Sequence, residues 1–222
     1  MLKIKKYTMG VMQTNVYFAL NEEHGECVVI DPAANAVKLI DIAENILRTK
    51  PAAILLTHGH FDHILAAQEL AAHFGIRIYA GEKERETLAS PDENLSRNFN
   101  LDISITEFTP LRDGDTPELA GACFRVLETP GHTPGGVSYF TENEGKPLVF
   151  TGDTLFQESF GRTDFPGGSE KQLFDSIRNR LFTLPEETMV YPGHESETMI
   201  SHEKKYNPVV YLSQLGAGGI SI

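Results

Sequence analysis

Three histidines and an aspartate fall within six residues in the stretch Thr57-His58-Gly59-His60-Phe61-Asp62-His63. Imidazole and carboxylate groups gathered this densely are the ligand set of a divalent cation. The same chemistry returns in Thr129-Pro130-Gly131-His132, in Thr151-Gly152-Asp153-Thr154 and in Tyr191-Pro192-Gly193-His194. Of eight histidines, His58, His60, His63, His132 and His194 lie in these motifs, while His24, His73 and His202 read as surface residues. With Asp62 and Asp153 they make seven candidate ligands. A catalytic zinc takes about three protein ligands and keeps one position open. Seven therefore suit two divalent ions, provided one carboxylate bridges ions that sit about 3.5–4 Å apart in two-metal hydrolases. Zinc is the first expectation, and iron or manganese suits the same donors. No cysteine stands in the motifs, which excludes a Cys-rich structural zinc site.

Each motif needs an element to carry it. Ala52 to Leu56 is an apolar run behind Pro51 and reads as a buried strand. Ile64, Leu65, Gln68, Leu70 and Ala71 then repeat at helical spacing. The first motif is thus a strand-to-helix loop at a strand's carboxyl end, where open α/β sheets place their sites. The other motifs follow apolar runs at 123–128, 148–150 and 189–191. Residues 2–7, 15–20 and 27–30 read as a meander that stops at Asp31-Pro32. Apolar residues between Ala36 and Leu47 predict a helix, residues 62–73 another that ends at Gly75, and residues 76–80 a strand. Residues 82–89 read as a charged surface helix, and 103–108 and 137–140 as strands. Ser169-Glu170-Lys171-Gln172 has the form of a capping box opening a helix that shows Leu173, Phe174, Ile177 and Leu181 on one face. A last helix is expected near Ser201, and Gly216 to Gly219 reads as flexible. Strands alternating with helices predict an α/β fold, and the lack of a Pro/Ser-rich linker predicts one domain over 1–222 built from two similar halves.

The totals bound the function. Of 222 residues, 41% are hydrophobic and 23% charged, which predicts an ordinary packed core. No apolar run is long enough to span a bilayer and no signal peptide is visible, so a cytoplasmic protein without a membrane partner is expected. A net charge of −12 stays acidic with two divalent ions added and argues against nucleic acid as a partner. Cys27 and Cys123 read as small buried residues in a reducing compartment.

The four motifs, in this order over residues 57–194, resemble the metallo-β-lactamase-fold hydrolase superfamily. The resemblance implies a four-layer αββα sandwich of the α/β (α+β) class. It implies that His58, His60 and His132 hold one metal, that Asp62, His63 and His194 hold a second, and that Asp153 bridges them. Phe150 to Phe156, Gly161 to Ser169, Tyr191 to His194 and Asn207-Pro208 are similar to the short glyoxalase II-like, or hydroxyacylglutathione hydrolase-like, branch. That branch implies hydrolysis of a small-molecule hydroxyacyl thioester such as S-lactoylglutathione, with Asp62 and Asp153 as the catalytic carboxylates. Divalent ions would bring the pKa of a shared water to about 7 and supply hydroxide for the thioester carbonyl. A thiol leaving group with a pKa of about 8.5 needs no strong general acid. True β-lactamases of the fold carry another residue where Asp153 stands, so the resemblance points away from antibiotic hydrolysis. Full glyoxalase II enzymes add a helical domain that helps hold glutathione, whereas 28 residues follow His194 here, which leaves glutathione recognition open.

Gly161 to Phe165 also resembles persulfide dioxygenases, which use one iron that would fall on His58, His132 and Asp153. A phosphodiesterase or nuclease of the same fold is a further reading, and a non-catalytic metal-binding module is another. A filled set of seven motif positions argues against the last. Arg162 and Asp164 read as an ion pair that pins their loop, with a substrate carboxylate as the alternative role for Arg162. Phe61 and Tyr191 read as packing residues. Acyl group, thiol carrier, physiological metal and oligomeric state are left open by the sequence.

Overall fold

The structure is a computed structural model that describes residues 1–216. The chain opens as a meander of β1 (Leu2–Met9), β2 (Thr14–Asn21) and β3 (Glu26–Ile30), paired antiparallel. Helix α1 (Ala36–Asp41) runs on into a π-helical stretch, Ile42–Leu47, and returns the chain to β4 (Lys50–Leu55). Two short helices follow, α2 (Phe61–Ile64) and α3 (Ala67–Phe74), then β5 (Arg77–Gly81). A 3-10 turn at Glu82–Glu84, helix α4 (Arg85–Ala89) and a second 3-10 turn at Ser96–Phe99 lead to β6 (Thr109–Leu111). From β3 to β6 the pairing is parallel, which gives a six-stranded sheet in the order β1-β2-β3-β4-β5-β6.

The second half begins with a small surface hairpin, β7 (Glu118–Leu119) and β8 (Ala122–Cys123). Strands β9 (Arg125–Glu128), β10 (Val137–Asn143) and β11 (Lys146–Gly152) form an antiparallel meander. A hairpin of β12 (Leu155–Phe156) and β13 (Ser159–Phe160) precedes α5 (Glu170–Ser176), which continues as a π-helical stretch, Ile177–Leu181. Then come β14 (Met189–Pro192), β15 (Thr198–Met199), α6 (Ile200–Tyr206) and α7 (Val209–Gly216). The second sheet has the order β15-β14-β11-β10-β9, with β11 and β14 parallel.

The period of two along the strands decides how these parts stack. On β2, Tyr17 and Ala19 point into the space between the sheets, while Val16, Phe18 and Leu20 point outward. On β3, Val28 and Ile30 face inward, and Cys27 and Val29 outward. Across the gap, Val126, Val137, Tyr139, Leu148 and Phe150 complete the inner core. The outward residues of the first sheet are covered by Ala36, Leu39, Ala67 and Leu70 of α1 and α3. Those of the second, Leu127, Phe140 and Val149, are covered by Leu173, Ile177, Leu181 and Ile200. Three apolar layers between four structural ones make the αββα sandwich, as the resemblance implied. Each half of the chain supplies one sheet and its covering helices.

Several local expectations needed correction. Residues 103–108 alternate like a strand but pair with none. Their backbone is satisfied by side groups and loop ends instead: the Ile105 amide donates to the Leu88 carbonyl (2.8 Å), Asn94 Nδ2 donates to the Ile103 carbonyl (2.7 Å), and Ser96 Oγ accepts from the Ile103 amide (3.2 Å). The alternation marks burial of Ile105, not a ladder. The helix expected over 62–73 is broken, because the Ala66 amide turns away to the Pro32 carbonyl (3.0 Å). Its stop at Gly75 holds, with φ +66°. The 82–89 segment is not all surface, since Glu84 is fully buried. Cys27 is buried as expected, but Cys123 is exposed, because its strand is half of a two-residue-wide hairpin at the surface. Half of the capping box forms: Ser169 Oγ accepts from the Gln172 amide (3.4 Å), but the Ser169 amide donates to the Gly131 carbonyl (2.8 Å) instead of the Gln172 side chain. Of the glycine run 216–219, Gly216 ends α7 and the rest lies outside the described residues. Among the described residues no helix is long and apolar enough to cross a membrane.

Candidate metal centre

The carboxyl ends of β4, β9, β11 and β14 open onto the same edge of the sandwich, and all seven candidate ligands lie there. His58, His60 and His132 offer atoms within 4.8 Å of one another, as do Asp62, His63 and His194. A third overlapping group, His58, His63 and Asp153, joins these two. Asp153 is the hub. Its Oδ2 lies 3.5 Å from His132 Nε2 and 3.5 Å from His194 Nε2, and its Oδ1 lies 3.3 Å from His63 Nε2. Asp62 Oδ2 lies 3.4 Å from His194 Nε2 and 3.5 Å from His63 Nε2. His24, His73 and His202 stay outside; His73 pairs with Glu44 and His202 with Glu158.

Hydrogen bonds aim these side chains. Asp31 accepts from the Thr57 amide (2.8 Å) and Thr57 hydroxyl (2.7 Å) and takes His63 Nδ1 at 3.0 Å. That leaves His63 Nε2 to face the two carboxylates. The Arg162 carbonyl holds His132 Nδ1 (2.7 Å), which turns His132 Nε2 inward to 2.9 Å from His60 Nδ1. Thr14 Oγ1 donates to Asp62 Oδ2 (2.7 Å). The His194 loop is tied to β2: the Asn15 amide donates to the Gly193 carbonyl (2.7 Å), and Tyr17 OH to the Pro192 carbonyl (2.7 Å). Gly193 is required by space, since a Cβ there would meet Asp153 Oδ1 and lie 2.7 Å from His63 Cε1.

Glu84 joins two ligand loops from below. One carboxylate oxygen accepts from the Gly59 amide (2.7 Å) and the other from the Gly135 amide (2.8 Å). Burial pushes its pKa up, against the pull of these donors.

Charge and burial fit a cation. Burial holds His58 well below the usual imidazole range, and burial with His132 brings His60 to about 3, so both are neutral donors. His63 and His194 go the other way. Burial opposes their charged forms, but the carboxylates of Asp62 and Asp153 outweigh it, raising His63 well above its ordinary value and His194 to about 9. Asp62 falls to about 2 and Asp153 lies well below the carboxylate range, because the neighbouring imidazoles override burial. A pocket that draws protons onto histidine this strongly is one that favours positive charge. His58 Nε2, His60 Nε2, His63 Nε2 and Asp153 Oδ1 are buried without a hydrogen-bond partner, a cost that native proteins bear where a bound group answers it. The residues present fit divalent metal.

Sequence reasoning found the seven candidate ligands but missed their supports. Asp31 was read as a strand stop. The signal in the sequence was an acidic residue directly after a buried apolar run; the structure adds a left-handed conformation (φ +50°) that a non-glycine residue adopts at a cost. Glu84 sat in an apparent surface helix with no signal. The Arg162 support is a backbone carbonyl, which no side-chain pattern reports. Its side chain forms the expected ion pair, with Nε 2.6 Å from Asp164 Oδ1 and the second nitrogen 2.5 Å from Oδ2. Tyr191 packs in the core against Tyr17 and Phe150, as read.

An αββα sandwich with this edge cluster defines the metallo-β-lactamase fold. The chain belongs to the metallo-beta-lactamase superfamily, whose family model matches residues 9–194. Among curated relatives, a hydroxyacylglutathione hydrolase, GloC, of Haemophilus influenzae is 41% identical, covering 84% of this chain and 88% of its own. A probable metallo-hydrolase of Streptococcus pyogenes is 39% identical over 94% of this chain and 90% of its own. Among solved structures, BLEG-1, a B3 metallo-beta-lactamase, is 38% identical with a TM-score of 0.86, over 93% of this chain and 98% of that one. TTHA1623 in a di-iron-bound form is 37% identical with a TM-score of 0.80, over 92% and 98%. ETHE1 from Myxococcus xanthus is 31% identical with a TM-score of 0.75, over 93% and 83%. These relatives put the chain among the metallo-hydrolases of this fold.

Proposed function

We propose that the protein is a dinuclear-metal thioester hydrolase, with a hydroxyacyl thioester such as S-lactoylglutathione as its test substrate. The observation that carries the reading is the Asp153 carboxylate, set between His132 on one side and His63 and His194 on the other. His58, His60 and His132 would hold one divalent ion, and Asp62, His63 and His194 the other, zinc being the first expectation and iron or manganese also suited. Such ions, when bound, polarise a carbonyl and make hydroxide available near neutral pH. The chain's own part is positional. Asp62 and Asp153 keep their charge, Thr14 fixes Asp62, and Asp31 and the Arg162 carbonyl fix the imidazoles. A thiolate leaving group needs no strong general acid. The Haemophilus hydroxyacylglutathione hydrolase supports the reading.

A single-iron persulfide dioxygenase on His58, His132 and Asp153 is the second reading, favoured by the likeness to ETHE1. It leaves the Asp62, His63 and His194 group without a task. The likeness to BLEG-1, a B3 metallo-beta-lactamase, makes a β-lactam a control substrate. The test is metal analysis of the purified protein together with S-lactoylglutathione, a chromogenic β-lactam, and oxygen uptake with glutathione persulfide. Close to two metals per chain and thioester turnover are expected. Asp153→Ala should remove a metal and lower kcat/KM by more than the roughly 10–100-fold typical of an outer partner. One metal per chain, unchanged by that substitution, would sink the dinuclear reading; oxygen consumption would replace it.

A further inference from the structure

A cleft of about 900 Å³ leads down to the candidate metal centre. That is the upper end for small-molecule sites. Five phenylalanines stand in its walls, interleaved with polar side chains. Phe61 and Phe99 stand together, ring centroids 4.4 Å apart and planes 31° apart. Phe165 stands nearly perpendicular to His60 with ring centroids 5.3 Å apart, and the Phe156 centroid lies 6.0 Å from that of His194. Phe160, Met12 and Leu95 complete the apolar part of the lining. These residues come from the β1–β2 turn, the first ligand loop, the segment ending in the 3-10 turn at Ser96–Phe99, the β12–β13 hairpin and the loop after it. Convergence from five segments is not a local accident of composition. Phe99 and Met12 are each 45% exposed, so large apolar surface is left open at the mouth of the cleft.

Outside the candidate ligands the polar lining is mostly uncharged: Thr8, Gln13, Asn15, Asn98 and Ser159. Apart from the ligand imidazoles, the cation among the described lining residues is Arg162. Its guanidinium is already held by Asp164 and stacked 4.1 Å over Phe165. Glu195 adds a carboxylate to the lining. A carrier thiol bearing carboxylates meets no unpaired cation among these lining residues. Thiol carriers of metabolism are polar, so the half of a thioester that can be freely apolar is the acyl half.

We infer that this cleft is an acyl pocket, and that the preferred substrates are thioesters whose acyl group is an apolar chain or aromatic group larger than lactoyl. The inference rests on the thioesterase reading. The reaction is plain hydrolysis: water oxygen bonds to the acyl carbon, the carbon–sulfur bond breaks, and sulfur leaves with the electron pair and takes a proton. The carboxylate product forms with no oxidant or reductant. Each methylene moved from water into an apolar site is worth about fourfold in binding.

The experiment is a series of N-acetylcysteamine thioesters, from acetyl through butyryl and hexanoyl to phenylacetyl, turned over by the metal-loaded protein. We expect kcat/KM to rise at least about tenfold from acetyl to hexanoyl, which is less than full burial of the added methylenes gives. Phe99→Ala should cut the hexanoyl-to-acetyl ratio severalfold. A series that is flat or falls with chain length, beside measurable thioester turnover, overturns the acyl pocket and leaves the hydrolase standing. No turnover of any thioester sinks the hydrolase reading and the acyl assignment with it. Calorimetry with S-heptyl- and S-ethyl-N-acetylcysteamine then reads the wall by itself: equal affinity removes the apolar pocket as well.

Discussion

The first half of the chain delivers four candidate ligands from one turn, Thr57 to His63, whereas the second half delivers three from three different strand ends. On the compact side the spacing is set locally, because neighbouring positions on one tight turn point to different groups. His58 and His60 reach His132, while Asp62 and His63 reach His194. On the dispersed side nothing local relates His132, Asp153 and His194. Their relation is made by strand order, β9, β11 and β14 ending at one edge, and by ties across to the first sheet. The Val137 amide donates to the Thr57 carbonyl (2.8 Å), and Tyr139 OH to the Leu56 carbonyl (2.7 Å). The difference teaches that half of this centre is a sequence motif and half is a consequence of how two sheets are clamped.

Glu84 is where the two halves meet, so its loss should have the largest effect of the supporting residues. Glu84→Ala strands the Gly59 and Gly135 amides in a buried space, at about 1–3 kcal/mol for each unanswered donor. We expect a loss of about 3 kcal/mol or more in unfolding free energy by denaturant titration, together with weaker metal retention at both candidate sites. Glu84→Gln keeps one acceptor and should fall between. A stability change under about 1 kcal/mol would mean that the loops are held without this bridge.

That result would also mark the limit of what the sequence discloses. The ligand motifs are legible because metal chemistry restricts both residue type and spacing; the αββα sandwich came only with the family resemblance those motifs carry, since a strand such as β2 is buried along its whole length and shows no alternation. Glu84 is not legible: it is charged, lies among Glu82, Lys83 and Arg85, and is buried between the first ligand loop and the β9–β10 loop, which both bond to it. Residues 103–108 fail for the converse reason. Their apolar alternation is real burial, but the amide and carbonyl groups go to Leu88 and Asn94 rather than to a strand. Backbone partners are chosen by tertiary neighbours, and side-chain patterns do not report them.

Asp31 belongs to the compact side and should sharpen the contrast. Asp31→Asn weakens the hold on His63 Nδ1 without emptying the space. Substitutions of such outer partners cost about 10–100-fold in metal affinity. Chelator competition should show the ion at the Asp62, His63 and His194 group leaving first, with the His58, His60 and His132 group retained. Parallel loss of both would say that the compact turn responds as one unit and that its two faces are not independent.

Tyr17 tests the dispersed side with the smallest change. Its ring packs 5.4 Å from both Phe150 and Tyr191, contacts that phenylalanine preserves. Tyr17→Phe removes one hydrogen bond to the Pro192 carbonyl, which keeps Asn15 Nδ2 at 3.1 Å. The acceptor is therefore not left bare, and the expected cost is about 1 kcal/mol in stability. Activity should fall by less than about tenfold, since His194 loses one of several ties. The comparison turns on direction: if ties across the sheets set the His194 position, Tyr17→Phe should weaken retention of the His194-side metal while leaving the other unchanged. Equal retention of both, measured by metal content after dialysis, would assign the position of His194 to its own turn and make the second half as local as the first.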